Sequence, residues 1–184
     1  MSPGVHLVTS WLIGNTALKE RRNRIVVAIA GCSPDLDGLG LILDRIGYTS
    51  SLYFNYHHVL CHGIFWALLA SIFSSLVVKT QRLVTAAMAF IVIHFHILAD
   101  IAGSKGPDGY QWPINYLYPF SNNLMLEWSG QWELNAWPNF AFTGILLLAC
   151  YIQAKKQGYS AFEIVPGSFD KEVFKLARKY IKKG

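Results

Sequence analysis

Charged residues are scarce in this sequence. Only 15% of its 184 residues are Asp, Glu, Lys or Arg, whereas 53% are hydrophobic, and an ordinary soluble domain carries about 25% charged residues. The mean hydropathy is +0.31. So few charged side chains cannot cover the water-facing surface of a domain of this length, and we expect part of the surface to face lipid. We predict a membrane-embedded domain over residues 1–157 and a basic tail over residues 158–184.

Cysteine is also rare, with three residues placed far apart at Cys32, Cys61 and Cys150. They form no CxxC pair, which argues against a disulfide framework and against a cysteine-based zinc knuckle. The first residues lack the basic segment and the cleavage site of a signal peptide, so none is expected. The basic residues are not interleaved with a regular series of aromatics, and this argues against nucleic acid as a partner.

Long apolar runs determine the predicted fold, which is all-α: a polytopic bundle of membrane helices. About 20 residues are needed to cross a bilayer as a helix, and three runs are long enough, over residues 58–78, 82–100 and 136–154. Two shorter runs, 5–18 and 25–33, flank the basic sequence KERRNR. The sequence leaves open whether these two short runs cross the bilayer.

Two further segments, 33–57 and 101–135, are rich in Gly, Pro, Asn and Asp, which predicts structured loops with short helices. The second loop also carries several Trp and Tyr residues, which prefer the membrane interface. It is therefore either an interfacial lid or a structural cover over the helix ends. Asp108 and Trp112 in this loop are candidates to line a substrate entrance.

The basic tail ends in the sequence FDKEVFKLARKYIKKG. In a helix, Phe174, Ala177 and Ile181 share one face, opposite a face of Lys and Arg residues. This pattern predicts a C-terminal amphipathic helix. It lies either on the membrane surface or against the soluble side of the same chain.

Two predicted hairpins place histidine and aspartate side chains at one depth of the bundle. One hairpin turns near residues 80–81 and the other near residue 21, and a helix rises about 1.5 Å per residue. The residues that lie at matching distances from these turns are His6, Asp35, His62, His96 and Asp100. Both turns are basic, so the positive-inside rule assigns them to the cytoplasm. The histidine and aspartate cluster then belongs on the non-cytoplasmic side.

This set combines imidazole and carboxylate groups, which bind divalent cations such as zinc, manganese or nickel. His96 and Asp100 are four residues apart and share one helical face, and ionisable groups at membrane depth are functional candidates. Asp35 and Asp37 in the sequence SPDLDG each offer a carboxylate, which either binds an ion or orients a ligand. His94 points away from His96 and is interpreted as a packing residue. We predict a metal site, with zinc as the favoured ion.

Five short elements also follow one another in a recognisable order. They are His6, PDLD (34–37), HHVLCHG (57–63), HILAD (96–100) and YPFS (118–121). In this order and spacing the chain resembles the YdjM-like family of predicted membrane-bound metal-dependent hydrolases. It departs from the family in the third element, where His58-Val59 stands for Arg-Gly and Cys61-His62-Gly63 stands for Thr-His-Ser. A more remote similarity to zinc-dependent phospholipase C implies phosphoester chemistry.

The resemblance implies a role for individual residues. The implied metal ligands are His6, Asp35, His57, His62, His96 and Asp100. Two more residues are predicted to be catalytic. His58 would replace the missing arginine beside a phosphate group, and Asp37 would orient a ligand, bridge two ions or act as a general base.

The sequence thus predicts a membrane-bound hydrolase, in which a metal-activated water attacks a phosphoester or other ester of an amphiphilic substrate. We expect a multi-pass protein of a bacterial inner membrane, with membrane lipids as its partners. One alternative is a non-enzymatic membrane protein that binds a metal, or haem through His62 and His96, although nearby aspartates disfavour haem. The other is a metal- or proton-coupled transporter, against which the lack of two similar halves argues.

Overall fold

The first two helices form an antiparallel hairpin. The computed structural model describes residues 1–47 and 51–165, together with Phe169 and Glu172, and it begins with α1 (Pro3–Gly14) and α2 (Arg21–Cys32). Pro3 lies in the first turn of α1, where its missing N–H has no helical partner to lose. The two helices approach so closely that a Cβ on Gly31 would lie 1.8 Å from Ser10 Oγ. Only glycine fits at this crossing.

The chain continues from α2 into a 3-10 helix (Ser33–Leu39) and α3 (Gly40–Arg45) without a loop between them. Together they make an apolar stretch of 25 residues, Arg21–Arg45, that is long enough to cross a membrane. The short predicted run 25–33 is therefore part of a longer element. A short helix, α4 (Leu52–Tyr56), then leads to the loop that carries three histidines.

The predicted long helix over residues 58–78 is wrong at its start, because α5 covers only Ile64–Val77. The preceding residues form a loop in which His58 has a φ of 67°, a left-handed conformation that a helix cannot include. The backbone N–H groups of His58 and Cys61 donate to Asp37 Oδ2 at 3.1 and 3.4 Å. These contacts with a distant carboxylate hold the loop and delay the helix by six residues.

Within the described residues, three helical stretches are long and apolar enough to span a membrane: Arg21–Arg45, Arg82–Gly103 and Trp137–Gln157. The all-α membrane bundle is thus confirmed, and so is the number of long elements. Their identity differs from the prediction, since the first is Arg21–Arg45, and α5 is a shorter apolar helix.

The central element is α6 (Arg82–Gly103), which packs against α1, α2 and α5. Its apolar side chains Ile93 and Ile97 form a buried cluster with Ala67 of α5 and Ile114 of the following loop. The same helix also buries His96 and Asp100 near its C-terminal end. Apolar packing of α6 therefore fixes the position of two polar groups.

The last long helix, α7 (Trp137–Gln157), is the least covered by the rest of the chain. Phe140, Ile145 and Leu147 are 69%, 65% and 62% exposed. Burying such side chains in water-free surroundings is favourable by about 1.5–3 kcal/mol each. A lipid environment satisfies this helix, and water does not.

The turns of both hairpins meet at one end of the bundle, which we call the basic end (residues 15–24, 78–82 and 155–163). The N–H of Lys19 donates to Gln81 Oε1 at 3.1 Å, and Asn23 Nδ2 donates to the Thr80 carbonyl at 2.9 Å. Asn15 Nδ2 donates to Gln157 Oε1 at 2.8 Å, which brings the end of α7 to the same place.

The opposite end is covered by the loop between α6 and α7. It contains β1 (Ile114–Asn115) and β2 (Met125–Leu126), which pair antiparallel with Ile114 opposite Leu126. Gly63 lies under this loop, because a Cβ there would come within 2.6 Å of the Tyr116 carbonyl oxygen. The loop therefore closes directly over the start of α5.

After α7 the chain returns to the first hairpin through a 3-10 helix (Ala161–Ile164). Its Glu163 is 2% exposed and contacts Arg24 and Trp11. The predicted amphipathic helix with Phe174, Ala177 and Ile181 lies outside the described residues.

Candidate metal centre

The predicted histidine and aspartate residues converge at the end of the bundle opposite the basic end. They come from four places in the chain: α1, the 3-10 helix after α2, the loop before α5, and α6. Five of them are no more than 3% exposed: His6, His58, His62, His96 and Asp100. Buried ionisable groups need compensating partners, so their contacts decide what this cluster does.

Four residues form the first candidate ligand group, and their ligand atoms all lie within 4.8 Å of one another: His6, Asp35, His96 and Asp100. His6 Nε2 lies 3.1 Å from Asp100 Oδ1, and His96 Nε2 lies 2.9 Å from Asp100 Oδ2. Asp35 Oδ1 is 3.7 Å from His96 Nε2. Two imidazoles and two carboxylates around one point are a suitable donor set for zinc.

A second candidate group consists of His58, His62 and Asp100, whose ligand atoms meet the same 4.8 Å limit. His62 Nε2 is 3.4 Å and His58 Nε2 is 3.8 Å from Asp100 Oδ2. Asp100 belongs to both groups. Its Oδ1 faces His6, and its Oδ2 faces His58, His62 and His96.

The orientation of three imidazoles is fixed by hydrogen bonds from the ring nitrogen that faces away from Asp100. His96 Nδ1 donates to the Gly31 carbonyl at 2.7 Å, and His58 Nδ1 donates to the Trp112 carbonyl at 3.2 Å. His62 Nδ1 donates to Asp37 Oδ2 at 2.9 Å. Because carbonyl and carboxylate oxygens only accept, each of these Nδ1 atoms carries a proton, and the Nε2 atoms point towards Asp100.

These Nε2 atoms lie close to one another as well as to the Asp100 carboxylate. The Nε2 atoms of His62 and His96 are 3.2 Å apart. Within the described part of the chain, Asp35 Oδ2 and Asp100 Oδ2 are buried and make no hydrogen bond. A buried carboxylate oxygen without a hydrogen bond is stabilised by a cation. The backbone nitrogen of Met1 contacts Asp100 Oδ1.

Asp37 lies outside both groups and organises the histidine loop. Its Oδ1 accepts from His57 Nδ1 at 2.8 Å, and its Oδ2 accepts from His62 Nδ1 and from the backbone N–H of His58 and Cys61. Both carboxylate oxygens are therefore occupied by donors. Of the roles considered from the sequence, this geometry matches the orientation of ligands.

His57 and His58 are placed differently from the roles that the resemblance implies. His57, an implied ligand, lies outside both groups, with its ring stacked on Tyr53 at 4.6 Å and its Nδ1 bonded to Asp37. His58, the implied phosphate-side residue, is in the second group. The left-handed backbone of His58 turns the two neighbouring side chains in different directions, and sequence spacing cannot foresee that turn.

A cavity of about 370 Å³ opens beside the cluster. Its polar and aromatic walls are Asp35, Tyr53, His57, His58, Asp100 and Trp112. Burial raises the pKa of the Tyr53 phenol, and the nearby carboxylates raise it further, so this hydroxyl remains a hydrogen-bond donor. Asp108 accepts a bond from the Tyr110 N–H and is not part of this wall, whereas Trp112 is.

Sequence reasoning missed two contributors to the site. Tyr53 forms part of the cavity wall, and its place four residues before His57 was the signal that the two rings would stack. The Gly31 carbonyl, which orients His96, carries no signal in the sequence. His94 uses both ring nitrogens elsewhere, with Phe90 and Tyr116 at 2.8 Å each.

The comparisons with known proteins add one match. The sequence model of a family described as YdjM inner membrane protein matches residues 1–168. Neither a curated protein nor a solved structure matches the chain.

Proposed function

The chain belongs to the YdjM inner membrane protein family, and we propose that it is a membrane-bound, metal-dependent hydrolase that cleaves a phosphoester or other ester of an amphiphilic substrate. One observation carries the proposal. Buried imidazoles and carboxylates from four separate elements converge on Asp100, and Asp35 Oδ2 and Asp100 Oδ2 make no hydrogen bond within the described residues. Such a cluster is a site for divalent cations, and it adjoins a cavity large enough for a small-molecule group.

We assign the ligands from the two groups. His6, Asp35, His96 and Asp100 would hold one ion, and His58, His62 and Asp100 would hold a second. Imidazole and carboxylate ligands without thiolate suit zinc best, and manganese or nickel are the alternatives. In this assignment His58 is a ligand, and Asp37 orients His62 by accepting a hydrogen bond from its Nδ1.

Bound divalent ions would lower the pKa of a water molecule towards neutrality and would neutralise negative charge on a substrate oxygen. The chain itself would position the substrate and move protons. The Tyr53 hydroxyl would donate to a substrate oxygen in the cavity. His57 is a better proton acceptor than Asp37, because both Asp37 oxygens already accept hydrogen bonds, while the His57 ring lines the cavity and donates its Nδ1 proton to Asp37.

The orientation in the membrane follows from charge. The basic end holds Lys19, Arg21, Arg22, Lys79, Arg82, Lys155 and Lys156. The positive-inside rule then places that end in the cytoplasm and the metal centre on the non-cytoplasmic side of a multi-pass protein. A substrate would reach the site from the outer leaflet.

The haem alternative has less support than the hydrolase. His62 and His96 would be its axial ligands, but Asp100 Oδ2 lies 2.9 Å from His96 Nε2 and 3.4 Å from His62 Nε2. A carboxylate occupies the space that a porphyrin ring needs. A Soret band in the spectrum of the purified protein would contradict the hydrolase proposal.

The metal centre is tested by elemental analysis of the full chain purified in detergent. We expect Asp100→Ala to lose most of its metal, because Asp100 is shared by both groups, and His62→Ala to lose part of it. His94→Ala is the matched control, since His94 lies on the same helix as Asp100 but bonds to Phe90 and Tyr116. Metal content of Asp100→Ala equal to that of the wild type would contradict the assignment.

Catalysis is tested separately from metal binding. Hydrolysis of a phospholipid and of a soluble phosphodiester is measured with and without a chelator. We expect both activities to require the metal and to disappear in Asp100→Ala. A metal-loaded protein that hydrolyses neither compound would support a metal-binding protein or a transporter instead.

A further inference from the structure

A second cavity shares its wall with the metal centre. It measures about 490 Å³ and lies between α1, α6 and α7. His6 and His96 of the first ligand group line its inner end, and Met1 lines both this cavity and the polar one. The two cavities therefore meet at the metal centre, one polar and one apolar.

The lining of this second cavity combines the two histidines with a largely apolar wall. Beyond His6 and His96 the walls are made by hydrophobic side chains of the three helices, among them Val5, Val92, Phe95, Phe142 and Ile145. Phe95 and Ile145 are 51% and 65% exposed at the outer side of the bundle. Since α6 and α7 are candidate membrane spans, this outer side faces hydrocarbon.

One polar atom in the lining lacks a partner. Thr9 lies one helical turn after His6 on α1, and its Oγ1 is buried and makes no hydrogen bond within the described residues. A buried hydroxyl without a partner costs free energy unless a ligand accepts its proton. An ester or ether oxygen at the head-group end of a lipid chain would accept this hydrogen bond.

A groove of similar size on another face provides the comparison. It measures about 510 Å³, lies between α2 and α5, and is lined by side chains such as Val26, Leu69, Ala70 and Phe73. None of its lining residues belongs to either ligand group. We call it the control groove, and contact with the first ligand group through His6 and His96 is what sets the first cavity apart from it.

We infer that the cavity between α1, α6 and α7 binds one hydrocarbon chain of a membrane lipid, whose ester head group lies at the metal centre. The substrate class is then a long-chain lipid rather than a small soluble ester. The inference rests on the proposed function for the reaction, but not for the presence of the chain in the cavity. Chain binding and hydrolysis are therefore measured separately.

Binding is tested by photocrosslinking in nanodiscs. The full-length, zinc-loaded protein is embedded with a phospholipid that carries a diazirine in the middle of a 16-carbon acyl chain, and crosslinked peptides are mapped by mass spectrometry. Ala141 of α7 lines the cavity, and we expect Ala141→Phe to fill it. Crosslinking there should fall about tenfold, the change in affinity expected when about two methylene groups of the lipid chain are no longer buried. Ala70→Phe, the same enlargement in the control groove, should lower crosslinking only in that groove.

Zinc removal distinguishes a lipid whose head group is bound at the metal centre from a lipid in transient contact with the helices. A chelator should lower crosslinking in the cavity beside His6 and His96, because the head group loses its anchor, and should leave the control groove unchanged. Equal labelling of both grooves, with no response to the chelator or to Ala141→Phe, would overturn the inference. It would do so whether or not the protein is a hydrolase.

Hydrolysis gives the second readout. The ratio of turnover on a 16-carbon phospholipid to turnover on bis(p-nitrophenyl) phosphate should fall about tenfold in Ala141→Phe and stay constant in Ala70→Phe. An unchanged ratio in Ala141→Phe would contradict the assignment of the cavity to the substrate chain. If the wild type hydrolyses neither compound but the crosslinks remain selective and zinc-dependent, the hydrolase proposal fails and the lipid-chain site stands.

Discussion

The two ends of the bundle bury polar clusters of opposite design. At the basic end, Arg24 and Glu163 are 3% and 2% exposed and form two bonds, Nε to Oε1 at 2.6 Å and Nη2 to Oε2 at 2.7 Å. Trp11 Nε1 adds a third donor to Glu163 at 2.8 Å, and Arg24 Nη1 donates to the Lys19 carbonyl at 2.7 Å. Each carboxylate oxygen there has a donor from the chain.

At the opposite end of the bundle, which holds the candidate metal centre and which we call the metal end, some carboxylate oxygens have no donor among the described residues. Asp35 Oδ2 and Asp100 Oδ2 lack hydrogen bonds in the described part of the chain, and the Nε2 atoms of His62 and His96 lie 3.2 Å apart. Both ends obey the same rule, that buried charge must be compensated. The chain compensates itself at the basic end, whereas the histidine and aspartate groups at the metal end could hold a metal ion. The first design serves the fold, and the second is what a functional site requires.

The largest expected difference between the two ends is in the free energy of unfolding after a substitution. We expect Arg24→Met to lower the free energy of unfolding by about 3–5 kcal/mol, because Glu163 is left buried without its partner. The metal content of the folded protein should not change. Adding Glu163→Leu should restore most of the stability, as measured by chemical unfolding in detergent. Loss of metal in Arg24→Met would show that the two clusters are coupled.

The neighbouring residues His57 and His58 test which histidine binds a metal ion at the metal end. We expect His58→Phe to weaken one bound ion more than about 100-fold, since loss of a ligand should exceed the 10–100-fold effect of losing an orienting partner. His57→Phe should keep the full metal stoichiometry and lose activity by about 10²–10⁴-fold, the range for an acid–base residue. Elemental analysis and phosphodiester hydrolysis on the same samples decide the matter. The reverse outcome would return the ligand role to His57.

Removal of the metal should affect one end alone. A ligand held at 100 times its Kd stabilises the folded state by about 2.7 kcal/mol, so chelation should lower the stability of the wild type by this amount. Asp100→Ala should not respond to the chelator. Arg24→Met should respond as fully as the wild type, since distant sites add independently. A smaller loss of stability on chelation in Arg24→Met than in the wild type would contradict the independence of the two ends.

The smallest effect concerns the carboxylate that orients the histidine loop. Asp37→Asn should lower metal affinity about 10–100-fold without removing a ligand. Asp108→Asn is the control, because Asp108 bonds only to the nearby Tyr110 N–H among the contacts of its loop. Titration of the metal-free variants with zinc gives both affinities. Equal affinity for Asp37→Asn and the wild type would show that His62 is held by packing alone.

Much of this molecule could be predicted because helices are regular. The constant rise of a helix placed His6, Asp35, His62, His96 and Asp100 at one depth, and the structure brings them together. The prediction over residues 58–78 failed at its start, where the loop before α5 depends on hydrogen bonds to Asp37. Those bonds span more than 20 residues of sequence, beyond the reach of local periodicity.

The sequence alone determined that the chain is an all-α membrane protein with its basic turns at one end and its histidine and aspartate cluster at the other, because apolar run length and charge bias are local properties. Only the tertiary structure decided that Asp100 is shared by two groups and that His58, not His57, faces it. It also decided that an apolar cavity begins at His6 and His96. Such choices depend on backbone turns and on helix packing, which no spacing of residues encodes.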